Sequence, residues 1–232
     1  MVYLWQFILI ENTVVLPDTL KRMNNPEFYV DYTTSVKVNP LITEKYKSII
    51  EKYISLKNKK VLDIGCGTGR LAIHIGKFVN HWYGIDIAPE SIEIARKNIK
   101  NLKLEDKVEF KIGSFTEIPF DDKFDIIISS NSLHFESNKY YAFENVYNSL
   151  KNNGYFIIFE PTPTPHGWFS DKLNKKSPNF NLTFFNKKVE ALNKSYAAIK
   201  SQNLFEIVDK FMPKTNGTFQ GNQYYAILRK VE

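Results

Sequence analysis

Val61-Leu62-Asp63-Ile64-Gly65-Cys66-Gly67-Thr68-Gly69 joins an apolar, strand-like run to a helix through a loop with glycine at alternate positions. Glycine suits positions where φ is positive or where a side chain would collide with a bound group. The helix that follows presents unpaired N–H groups and the positive end of its dipole. The loop therefore predicts a nucleotide-like ligand at close range, with an anionic group at the helix start. A dinucleotide fingerprint needs glycine at its first, third and sixth positions, and counting from Gly65 the sixth is Arg70. The spacing disfavours NAD.

Working outward, Trp82-Tyr83-Gly84-Ile85-Asp86-Ile87 reads as the next strand, ending in an acid 21 residues past Gly65. In a Rossmann-like unit an acid about 20 residues beyond the glycines accepts from ribose hydroxyls. Pro89 opens a helix in which Ile92, Ala95 and Ile99 share a face and Arg96, Lys97 and Lys100 point elsewhere. The unit is strand, glycine loop, helix, strand, acid, helix. On these residues the chain resembles the class I S-adenosylmethionine-dependent methyltransferases, whose first motif is similar to Asp63–Gly69. The resemblance implies an α/β fold: a Rossmann-like, seven-stranded, mostly parallel sheet with helices on both faces and an antiparallel C-terminal strand pair. It implies S-adenosyl-L-methionine as cofactor and S-adenosyl-L-homocysteine as product, with Asp63, Gly65, Cys66, Gly67, Gly69, Asp86 and Ile87 among the binding residues.

The rest of the chain reads consistently. Leu41-Ile42, Tyr46, Ile49-Ile50 and Tyr53 have the spacing of an amphipathic helix, expected to cover a sheet edge. Val108 to Ile112 reads as the third strand, and the nearly continuous apolar run Phe124 to Ser130 as a central parallel strand. Phe143, Val146, Tyr147 and Leu150 share a helical face, and Asn153-Gly154 is expected to end that helix before the strand Tyr155 to Glu160. Phe205 to Phe211 and Tyr224 to Arg229 supply the terminal pair. The expected organisation is an N-terminal lid or cap over residues 1–40 and a methyltransferase domain over residues 41–232, with a substrate-pocket insertion at about 161–203.

Three segments at strand ends are candidate site walls. Gly113-Ser114-Phe115 is similar to the segment that flanks the adenine in the family. Many relatives carry aspartate where this chain has Ser114, and a serine hydroxyl accepts without charge. Phe115 is either core packing or a ring stacked on the adenine. Asn131-Ser132-Leu133-His134-Phe135 is similar to the post-strand segment of small-molecule methyltransferases, which adds Asn131 to the cofactor contacts and places His134 beside the transferred methyl group. Its imidazole is a candidate general base near neutral pH, the alternative being a loop histidine that only packs. Glu160 closes the fifth strand and either binds an amine substrate or orients another side chain. Trp168 in the proline-rich segment beyond it, with Tyr29 and Tyr32 in the N-terminal lid, completes the candidate substrate wall.

Composition limits the alternatives. With 232 residues and 43% hydrophobic content the chain can bury one sizeable core. Cys66 is the only cysteine, so no intrachain disulfide forms, and a cytoplasmic setting is the simpler expectation. The apolar start from Tyr3 to Ile10 is too short to span a bilayer and lacks the basic flank of a signal peptide. The four histidines show no metal-ligand spacing with acids, so no metal is expected. A small-molecule methyl acceptor is the leading partner. Net charge of +6 and a pI near 9.1 keep nucleic acid open but not favoured. The stretch from Lys172 to Lys188, with Phe180, Phe184 and Phe185 interleaved, would serve an RNA or protein methyltransferase, or be no more than a solvated face. A third alternative is a non-catalytic, cofactor-binding partner subunit.

Overall fold

In the computed structural model the described residues are 40–161, 182–211 and 223–231. The lid segment before residue 40, with Tyr29 and Tyr32, lies outside them, as do Trp168, Lys172, Lys175, Lys176 and Phe180. In chain order the elements are α1 (Pro40–Glu51), β1 (Lys60–Ile64), α2 (Arg70–Ile75), β2 (His81–Asp86), α3 (Pro89–Asn101), β3 (Val108–Ile112) and β4 (Phe124–Ser130). They continue with α4 (Lys139–Ser149), β5 (Leu150–Pro161), α5 (Leu182–Ser201), β6 (Phe205–Phe211) and β7 (Gln223–Lys230). Short 3-10 turns cover Gly76–Phe78 and Leu133–Phe135.

The seven strands form one sheet in the order β3-β2-β1-β4-β5-β7-β6. β1 pairs in parallel with both β2 and β4, so the winding direction reverses between β1 and β4. At such a switch point the loops leaving the two strands go to opposite faces and open a crevice at the carboxyl ends, where ligands bind in open α/β sheets. β7 runs antiparallel between β5 and β6. This is the Rossmann-like arrangement with the antiparallel C-terminal pair that the sequence predicts.

Side-chain alternation divides the core into two layers. Val61, Ile126, Ile128, Ile157 and Phe159 face α1, α2 and α3, while Leu62, Ile64, Ile127, Phe156 and Ile158 face α4 and α5. Because β4 is interior and covered on both faces, its sequence is a continuous apolar run rather than an alternating one. Two expectations are corrected. α1 does not cover an edge: its Tyr46 ring stacks on Phe159 of the interior strand β5, with centroids 4.0 Å apart and planes 5° from parallel. The helix is laid over the sheet face because the large apolar surface of Tyr46, Ile49 and Ile50 needs an apolar floor. Leu150 is not the last apolar residue of α4 but the first of β5, extended and paired with Phe124. The break comes at Ser149, and Asn153, at φ 59, marks an irregularity within the strand.

Candidate active site

The glycine loop after β1 is held by main chain. The Ile85 carbonyl accepts from the N–H groups of Gly65 and Cys66 at 2.8 and 2.9 Å, and Asp86 Oδ2 accepts from Gly67 N–H at 2.8 Å. The glycines serve different ends. A Cβ on Gly65, at φ +75, would lie 2.3 Å from Ser132 Cβ, so this residue lets the β4 loop close against β1. A Cβ on Gly67, at φ +53, would meet nothing within 4 Å, so the loop leaves open space there. The Cys66 side chain turns inward to the core, and burial pushes its thiol well up. Its contribution to the loop is therefore main chain. Below the loop Asp63 is 1% exposed, and its Oδ1 has no hydrogen-bond partner among the described residues. Burial pushes its carboxyl up to about 7, with the Arg70 charge pulling the other way and Asp86 adding to the rise.

A cleft opens beside this loop. Asp86, Ile87, Ser114 and Phe115 line one side and Ser132, Phe135 and Glu136 the other, with Ile64 and Gly65 between. Asp86 accepts from Ala88 N–H at 3.0 Å as well as from Gly67, and burial is the largest influence, pushing its carboxyl up. Phe115 packs in the core and also lines the cleft, so the two readings of that ring coexist. The Ser114 hydroxyl oxygen accepts from Thr116 and Glu117 N–H groups, which shapes the turn at the wall.

Across the cleft the segment after β4 is stitched to the sheet. Asn131, at φ 60, donates its N–H to the Phe159 carbonyl at 2.7 Å. Its side-chain Oδ1 is buried without a hydrogen-bond partner among the described residues. Ser132 donates to the Ile64 carbonyl at 2.7 Å and lies 2.9 Å from the Ser129 hydroxyl. His134 is 3% exposed, with its Nδ1 2.5 Å from Glu160 Oε2, and its main-chain N–H donates to Glu160 Oε1 at 3.3 Å. Glu160 is thus fully buried with both oxygens engaged by His134. Of the two roles open to it in the sequence, the geometry favours orienting another side chain over direct contact with substrate. Tyr224 faces it across the β5–β7 ladder, and burial followed by the Glu160 charge pushes that phenol up. α5 packs on the Leu133–Phe135 turn and closes the far side.

The structure brings Gly65, Asp86, Ile87, Ser114 and Phe115 to one cleft. His134 and Glu160 meet just behind it, and neither lines it. Sequence reading missed Ser132, which fills the space over Gly65, and Glu136. The signal for Glu136 was an acid directly after the post-strand segment. Among the described residues no cluster of three metal-ligating side chains occurs, and no helix is long and apolar enough to cross a membrane.

A family profile described as "Methyltransferase domain" matches residues 55–231. A sterol 4-C-methyltransferase of Caenorhabditis elegans is 28% identical over 141 residues, which cover 60% of this chain and 41% of that protein. An uncharacterized RNA methyltransferase of Clostridium acetobutylicum is 38% identical over 95 residues, 40% of this chain and 20% of that protein. The chain thus spans about two-fifths or less of the length of these curated relatives. Among solved structures, a candidate S-adenosyl-L-methionine-dependent methyltransferase from Methanococcus maripaludis superposes with a TM-score of 0.65 at 24% identity, covering 93% of both chains. That likeness is one of fold.

Proposed function

Since the chain belongs to this family of methyltransferase domains, we propose that it transfers a methyl group from S-adenosyl-L-methionine to an N, O or C nucleophile of a small molecule. The observation that carries the reading is the cleft at the β1/β4 switch point, with open space over Gly67 and a carboxylate, Asp86, in its wall. The residues suit such a cofactor. Each Asp86 oxygen already accepts one main-chain N–H, and a carboxylate has about four lone-pair sites, so acceptor capacity remains for both ribose hydroxyls. Ile87 and Phe115 offer apolar surface to the adenine, and the orphaned Oδ1 atoms of Asn131 and Asp63 are acceptors for the ammonium end. When bound, the cofactor supplies an electrophilic methyl carbon, and the acceptor's lone pair bonds to it as the C–S bond breaks and leaves its electrons on sulfur.

The chain's own part is positioning and proton removal. Holding two reactants in line can supply roughly 7–11 kcal/mol of a barrier. His134 is the proposed general base. With Nδ1 against the Glu160 carboxylate, the ring is the Nδ1–H tautomer and its basic lone pair is on Nε2. Glu160 holds that tautomer and the ring plane. The test is incubation of the protein with methyl-labelled cofactor and either a small-metabolite pool or total RNA, with the labelled product trapped and identified. Label in a small molecule supports the reading. Label in RNA overturns the small-molecule assignment, and the absence of cofactor binding by calorimetry overturns the whole.

A further inference from the structure

Glu136 is the acid the mechanism above does not use. It is 3% exposed, yet it lines the cleft on the β4 side, two residues beyond His134. Its Oε1 accepts from Asn138 N–H at 2.8 Å and from the Ser137 hydroxyl at 3.5 Å, whereas Oε2 accepts from no donor among the described residues. Lys139 is the cation that acts on it electrostatically, but the Lys139 ammonium donates to the main-chain carbonyl of Glu136, and no ion pair joins the two side chains. The other polar groups on the wall already make hydrogen bonds within the protein. Both Asp86 oxygens accept from main chain, Ser132 donates to Ile64, and the Ser114 oxygen accepts from two N–H groups. Phe135 and Phe115 supply apolar surface around them.

A carboxylate desolvated to this degree, with no ion pair among the described residues, is costly, and a bound cation in direct contact offsets the cost. Burial pushes this carboxyl up, and the main-chain N–H groups of Asn138 and Ser137 with the Lys139 charge offset only part of that rise. The nucleoside-facing residues Asp86, Ile87 and Ser114 stand at the β2 and β3 ends, on the opposite wall, while Glu136 shares its short segment with His134. We propose that Glu136 is the anionic anchor for a cationic nitrogen of the methyl acceptor, which makes that acceptor an aliphatic amine; the bound ammonium gives one proton to the proposed base, His134, before the freed nitrogen lone pair bonds to the methyl carbon. This rests on the methyltransferase reading and narrows its substrate class.

The test compares the wild type with Glu136→Gln, which keeps an oxygen to accept from Asn138 and removes only the charge. Cofactor binding is read by calorimetry. Methyl transfer is read as S-adenosylhomocysteine released with a panel of primary and secondary alkylamines and with the alcohols of the same carbon skeletons. Amines should be methylated in preference to alcohols. Glu136→Gln should raise the KM for amines on the order of 30-fold, the scale expected for loss of one partner of a buried charge pair, with cofactor affinity within about twofold of wild type. A large loss of cofactor affinity in Glu136→Gln would overturn the proposal, because the carboxylate would then serve the cofactor's own ammonium. So would equal KM values for amines in both forms, or cofactor binding with no amine methylated. Failure of the wild type to bind cofactor at all is a different result, and it removes the methyltransferase reading itself. A misfolded variant is recognised by its melting curve, and Glu136→Asp, which keeps the charge, should then recover part of the amine KM.

Discussion

At the ends of β1 and β2 the glycine loop beside the cleft is held largely through main-chain N–H groups, whereas at the ends of β4 and β5 the segment behind the cleft is tied by side chains that meet across 26 residues of sequence. On the first side the Ile85 carbonyl and Asp86 fix the glycine loop through N–H groups, and the space a Gly67 side chain would occupy is open. On the second, His134 and Glu160 are buried against each other, and Glu136 is buried in the cleft wall two residues beyond His134. Main-chain cradles suit a cofactor that is the same in every turnover. Side-chain clusters suit an acceptor that differs between relatives, because a single substitution changes them without altering the loop.

The largest expected effect breaks the side-chain half. His134→Ala should slow the chemical step on the order of 100-fold or more, the scale of general base catalysis, and should remove the acid limb of the pH–rate profile. Cofactor affinity should hardly change. Single-turnover methyl transfer across pH measures this once an acceptor is in hand. An unaltered rate and profile would reduce His134 to a packing residue and leave positioning alone to account for transfer. Glu160→Gln sharpens the point: the amide keeps the volume, so a rate loss with retained cofactor affinity isolates its orienting role.

The main-chain half is probed through binding. Asp86→Ala should weaken cofactor affinity by about 1.5–3 kcal/mol, the range for hydrogen bonds to a charged group. Part of that loss would come through the loop, since Gly67 N–H also leans on this carboxylate. Calorimetry with S-adenosylmethionine and S-adenosylhomocysteine decides, and tight NAD binding would contradict the spacing of the glycines. Gly67→Val should cost about 1–3 kcal/mol in affinity by filling space that is open. Normal binding in that folded variant would mean that the open space over Gly67 is not where the ligand sits.

The same contrast explains what could be read from the sequence. Strands β1 to β5 and the glycine loop follow from local patterns: apolar runs, alternate glycines, and an acid 21 residues on. α1 was misplaced because an amphipathic face states that a helix packs, not on what. Its partner, Phe159, is set by tertiary stacking. Leu150 fits both a helical face and a strand, and pairing with Phe124 decided it. The Glu160–His134 contact was open in the sequence, since nothing local joins two residues on neighbouring strand ends. Glu136 went unread because an acid in a loop is ordinarily solvated, and only its burial at the cleft distinguishes it.

The smallest effect concerns stability, and it tests whether the main-chain half carries a hidden strain. Asp63 lies beneath the glycine loop with its carboxyl raised from 3.8 to about 7, chiefly by burial. Below about pH 4 it is protonated in both folded and unfolded chains, so its contribution to stability is fully present there. As pH rises through the window from about 4 to about 7 the unfolded chain sheds this proton first, and folded stability falls. Asp86 and Glu136 shift in the same direction, so the slope has more than one source. Calorimetric Tm values from about pH 4 to 7.5 should decline in the wild type and decline less in Asp63→Asn, by a few degrees at the top of the window. Equal slopes would mean that Arg70 already holds Asp63 ionised in the folded protein, and the orphaned oxygen would then be a charged acceptor facing the loop before any ligand arrives.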